Sequence, residues 1–84
     1  MKWLISEDGD GAINLEVADS IKAVPESLTS TQYNLRVRWG ENDTYIGIKR
    51  EREFVIKCLK YILESNAECI RVDDKFLREV ELMS

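Results

Sequence analysis

Asp8 and Asp10 alternate with glycine in the run Asp8-Gly9-Asp10-Gly11-Ala12-Ile13, the spacing at which a calcium loop presents its carboxylates. Calcium needs about six to eight oxygen ligands, so the rest of the loop decides the matter. With Asp8 and Asp10 at the third and fifth loop positions, Ser6 takes the first and Val17 the twelfth, where a bidentate glutamate is required; Glu16 falls one place short. Too little chain precedes Ser6 for the entering helix. A hairpin turn is the simpler reading, because Asp-Gly pairs tolerate the positive φ of a tight reversal.

Cys58 and Cys69 are the only thiols, and histidine is absent altogether. Triads, Cys-His dyads, histidine-containing zinc sites and the ordinary neutral-pH proton shuttle thereby lose their usual residue. Cys58 falls four residues from both Phe54 and Ile62, the place of a small core residue, whereas Cys69, two residues from Arg71, has no such clear place. Asp73-Asp74 and Glu79/Glu81 are the close acidic pairs outside the turn. Side chains diverge by roughly 100° per residue on a helix and alternate on a strand, so neither pair forms an acid/base couple. The sequence predicts no catalytic residues, no cofactor, no metal and no enzyme activity.

The remaining candidate is a binding face. Arg36, Arg38, Tyr45 and Lys49 share one side of a predicted hairpin, with Arg50 and Arg52 close by. Single-stranded nucleic acid binds such faces when aromatics stack bases and cations follow phosphates. Only one aromatic stands there, so a solvated face with a Tyr45–Arg38 cation–π contact is the competing reading.

The elements that position these residues follow from periodicity. From Tyr33 to Ile48 apolar residues recur every second position, and from Glu51 they take helical spacing, so a hairpin runs directly into an amphipathic helix. A four-residue loop Gly40-Glu41-Asn42-Asp43 would pair Trp39 with Thr44, Arg38 with Tyr45, Val37 with Ile46 and Leu35 with Ile48. Leu35, Val37, Ile46 and Ile48 then face the core. Phe54, Val55, Cys58, Leu59 and Ile62 line the inner side of a helix over about 51–65, which lacks a good N-cap residue and stops at Ser65-Asn66, asparagine tolerating the left-handed conformation.

Upstream, residues 2–6 read as a strand, and Ile13, Leu15, Val17, Ile21 and Ala23 as two short strands with a bend or bulge near 18–20, or as one long bent strand. Residues 25–32 read as a loop. Downstream, residues 68–72 suggest a short strand. Asp73 then offers an N-cap to a final helix bearing Phe76, Leu77, Val80 and Met83, with a terminal strand as the alternative.

At 84 residues, with 44% apolar and 33% charged residues, the chain reads as one α+β domain over 1–84. The expected architecture is a mostly antiparallel β-meander of four to five strands, one amphipathic helix and a short C-terminal helix or strand. Net charge is −4, yet residues 33–65 carry seven bases against five acids. Overall acidity argues against undirected nucleic-acid or membrane binding. No apolar run approaches the ~18 residues of a membrane span, the start fails the pattern of a secretory signal, and two cysteines suit a reducing compartment, so a soluble cytoplasmic protein is expected.

Met1-Lys2-Trp3-Leu4, Gly11-Ala12-Ile13-Asn14-Leu15 and the hairpin followed by a helix resemble small bacterial and prophage proteins whose curved sheet is capped by one helix. That arrangement is similar to a reduced pleckstrin-homology-like barrel, and the resemblance covers about residues 1–65. It implies a sheet-and-helix fold and transfers no ligand residues. One helix covers only part of such a sheet, so Trp3, Leu4, Tyr33 and Tyr61 are candidates for a second buried surface supplied by a homodimer, and Trp3 and Trp39 for partner anchors. The expected function is a non-catalytic protein-interaction or regulatory module of a bacterium or mobile element, with a nucleic-acid-binding module on Arg36, Arg38 and Lys49 as the alternative.

Overall fold

The computed structural model describes residues 2–6 and 11–83. Its strands are β1 (Trp3–Ile5), β2 (Ala12–Asn14), β3 (Ser20–Pro25), β4 (Tyr33–Trp39), β5 (Asn42–Arg50) and β6 (Cys69–Arg71); its helices are α1 (Arg52–Glu64) and α2 (Asp74–Leu82). The fold is α+β, with an antiparallel meander β3-β4-β5 under α1, as the periodicity predicts. The described strands form two three-stranded sheets, ordered β2-β1-β6 and β3-β4-β5. In the smaller sheet β1 runs antiparallel to β2 and parallel to β6, so the C-terminal segment returns to the N-terminal strand.

One apolar core joins both sheets to both helices. Leu4 of β1, Leu35 and Val37 of β4, and Val55, Cys58 and Ile62 of α1 are fully buried, and Ile70, Phe76 and Val80 complete the cluster from the C-terminal segment. Tyr61 of α1 meets Phe76 of α2 edge to face, ring centres 5.3 Å apart. Of the residues expected at a second buried surface, Leu4 lies instead at the centre of this core, and Trp3, Tyr33 and Tyr61 are half-buried.

The hairpin register differs from the expected one. Trp39 pairs with Asn42, Val37 with Thr44, Arg36 with Tyr45 and Leu35 with Ile46, so the loop is the two residues Gly40-Glu41. Gly40 takes φ +59°, the positive value that a short hairpin turn needs at its first central position and that glycine adopts at little cost. The Asp19 carboxylate accepts the Gly40 N–H at 2.6 Å and holds the turn from outside. A slip of two residues preserves the alternation, so the buried and exposed faces stay as predicted.

The slip is absorbed by a bulge beyond Leu35, where pairing resumes at Tyr33 with Arg50. Lys49 sits there at φ 56°, the only non-glycine with positive φ among the described residues. The Asn34 side-chain oxygen accepts the N–H groups of Ile48 (2.9 Å) and Lys49 (3.0 Å), which the bulge takes out of the ladder.

Helix α1 begins after Glu51, whose side chain makes no capping bond. It ends at Ser65 in extended conformation rather than with a left-handed asparagine, because Lys2 Nζ donates to the free carbonyls of Ile62 (2.8 Å) and Leu63 (3.2 Å). Helix α2 starts as predicted, the Asp73 carboxylate accepting the Phe76 N–H at 2.9 Å. The alternative terminal strand is ruled out by that helix. Upstream, the bend comes earlier than expected: the Asn14 side chain accepts the Glu16 N–H and turns Leu15–Val17 into a 3₁₀ turn.

Candidate functional site

The outer face of the β3-β4-β5 sheet brings Arg36, Arg38 and Tyr45 together. Arg36 lies directly opposite Tyr45 on β5 and Lys22 on β3, and Arg38 opposite Asp43 and Ser20. Lys22 belongs to this face, although the basic set read from the sequence omitted it. The alternation of Ser20, Lys22 and Val24 against Ile21 and Ala23 was the available signal. Tyr45 is 59% exposed.

Lys49 is separated from that set by the bulge, and its Nζ comes within 4.0 Å of Glu26 in the β3–β4 loop. Arg36 donates through Nε (3.1 Å) and Nη2 (2.6 Å) to one oxygen of Asp43. The expected Tyr45–Arg38 cation–π pair does not form, because the two-residue slip places Tyr45 across from Arg36 instead. The observed cation–π contact is Arg50 over the Phe54 ring, 5.0 Å from its centre, and Arg50 also binds Glu81 of α2 at 2.6 Å. Of the predicted cations, Arg38 and Arg52 make no ion pair among the described residues.

The other residues singled out by type have structural surroundings. Cys58 is fully buried, and burial pushes its thiol up to about 11 against a smaller opposing pull from the Arg50 charge. A thiol so protonated is a poor nucleophile at neutral pH. Cys69 is exposed on β6. Asp73 caps α2, Glu79 accepts from the Tyr61 hydroxyl at 3.4 Å, and Glu81 holds Arg50, so these acids are spread over three separate contacts. Among the described residues no group of three acids or cysteines could hold a metal ion. Asp8 and Asp10 of the calcium-like run lie outside the described residues; Gly11 leads into β2, where Ala12 and Ile13 lie.

A recess runs along β5. A groove of about 760 Å³ is lined on one side by β5 from Tyr45 to Arg50, and on the other by Ser6 and the start of α2 with Val72, Asp73 and Leu77. Among the described residues β5 is an edge strand, paired only with β4. In a two-residue hairpin closed by Trp39 and Asn42, the residues that bond to β4 are Asn42, Thr44 and Ile46, so Asp43, Tyr45 and Gly47 aim their N–H and C=O groups at the free edge. Gly47 has an ordinary φ and nothing within 4 Å of where a Cβ would stand. It leaves the edge bare at the middle of the groove.

No helix among the described residues is long and apolar enough to cross a membrane. The chain matches no protein-family model, and comparisons with curated proteins and with solved structures likewise find no match.

Proposed function

We propose that this chain is a non-catalytic protein-interaction module, whose binding surface is the β5 edge with the adjoining outer face. The observation that carries the reading is the groove of about 760 Å³ beside an edge strand whose outward backbone groups have no partner strand among the described residues. Unpaired edges are a hazard that folded proteins usually cover, bulge or charge, and this one is bulged only at its Lys49 end. An open edge beside a groove is also how many domains capture partner chains. A bacterial or mobile-element setting rests on the resemblance of the sequence alone.

The nucleic-acid reading draws on Lys22, Arg36, Arg38 and Tyr45 meeting on one face. Against it, Asp43 occupies Arg36, Glu26 lies beside Lys49, and Tyr45 is the only aromatic on that face among the residues paired there. Capture on immobilised protein, with and without nuclease, at about 50 and about 200 mM salt separates the two. The protein-interaction reading expects a specific protein retained after nuclease treatment and at the higher salt. Recovery of nucleic acid alone, lost steeply with salt and strengthened by Asp43→Asn, overturns it.

A further inference from the structure

The geometry points to strand addition as the binding mode: an extended segment of a partner chain, with apolar and acidic residues alternating, pairs with the free edge of β5 between Asp43 and Gly47. This rests on the protein-interaction reading and specifies its partner. Three observations converge on it. The edge offers the N–H and C=O groups of Asp43, Tyr45 and Gly47, which the β4–β5 ladder leaves outward. The bulge at Lys49, held by Asn34, ends the regular edge and limits pairing to about five residues, roughly 17 Å of strand. The recess beside it, about 760 Å³, has room for a segment of that length.

The two sides of the groove differ in charge, and that difference sets the partner's alternation. A strand laid beside β5 turns every second side chain to the outer face, next to Asp43, Tyr45 and Gly47; behind them on β4 stand Arg36, which already holds Asp43, and Arg38, which makes no ion pair among the described residues. Carboxylates suit those positions, and beside Gly47 they meet no side chain. The intervening side chains turn toward Leu77 and Val72, with Asp73 and Asp74 close by. Acids are repelled there and apolar residues accepted. A uniformly acidic segment therefore fits worse than an alternating one.

The probe is an acetylated and amidated peptide of alternating glutamate and valine, about seven residues long, with three controls: the same composition in two blocks, lysine in place of glutamate, and N-methylation at alternate amides. Binding is followed by titration and by hydrogen exchange of the intact protein. The expected result is binding of the alternating peptide at least about tenfold tighter than any control, with slowed exchange at the Tyr45 and Gly47 amides. Gly47→Pro removes an outward N–H that β4 does not use, so it abolishes binding while leaving the helical circular dichroism unchanged. The N-methylated control asks the same question without altering the protein. Strand addition is overturned if the block peptide binds as well, if Gly47 exchange is unchanged, or if no peptide binds. Light scattering that finds a dimer abolished by Gly47→Pro assigns the edge to a second copy, and also overturns it. A protein captured equally by the parent and Gly47→Pro sinks strand addition alone; failure to capture any protein sinks the broader reading.

Discussion

Asn34 and Lys49 are bound to each other's conformation: the carboxamide oxygen of Asn34 lies 3.0 Å from the Lys49 amide, which it holds at φ 56°. The same oxygen accepts from Ile48, so one buried side chain satisfies both backbone donors that the bulge removes from the ladder. The bulge in turn ends the open edge of β5.

Replacing Asn34 with alanine leaves two backbone donors without an acceptor in a largely dry place. Urea unfolding is expected to report a loss of about 2 to 3 kcal/mol. Lys49→Gly, which removes the left-handed penalty while keeping the Asn34 bonds, is expected to raise stability by up to about 1 kcal/mol. If both substitutions left the midpoint unchanged, the bulge would not be held as described.

Gly40 carries the hairpin reversal at φ +59°. A Cβ there has open space, so the cost of Gly40→Ala is conformational, about 1 to 2 kcal/mol. Asp19→Ala removes the carboxylate that accepts the Gly40 N–H and should cost less, because that N–H is exposed to water. Comparing the two variants in thermal melts tests whether backbone geometry or the external bond dominates the turn.

Cys58 makes stability depend on alkaline pH. Its folded pKa, about 11, lies above its ordinary value of 9.0, so the folded state retains a proton that the unfolded chain releases. Stability from this group is complete below pH 9 and declines as pH rises toward 11, by on the order of 1 kcal/mol at pH 10. Cys58→Ala should flatten that part of the profile. A thiol reagent at pH 8 should modify Cys69 at once and Cys58 only on unfolding, and rapid reaction of both would contradict the burial.

Two acids hold α2 in place by different means. Asp73→Ala removes a helix cap and should cost about 1 kcal/mol at any salt concentration. Glu81→Gln weakens a half-exposed pair with Arg50, so its effect should stay below about 1 kcal/mol and shrink in high salt. A salt-insensitive loss at Glu81 would mean that the contact acts through packing.

The order of residues by itself determined the alternation from Tyr33 to Ile48, the helical stripe Val55, Cys58, Ile62 and the Asp73 cap, because these depend on spacings within a few residues. Parity alone placed Arg36, Arg38 and Tyr45 on one face, and a slip of two residues could not disturb it. Tertiary structure decided the rest. The register was set by the Gly40 turn with Asp19 behind it, and the bulge by Asn34 reaching 15 residues along the chain. The parallel pairing of β1 with β6 and the capping of α1 by Lys2 likewise join residues about 60 positions apart. The groove along β5 exists because the start of α2 comes to rest beside an edge strand. Local periodicity contains no information about which distant segments meet, since that choice belongs to the packing of one shared core.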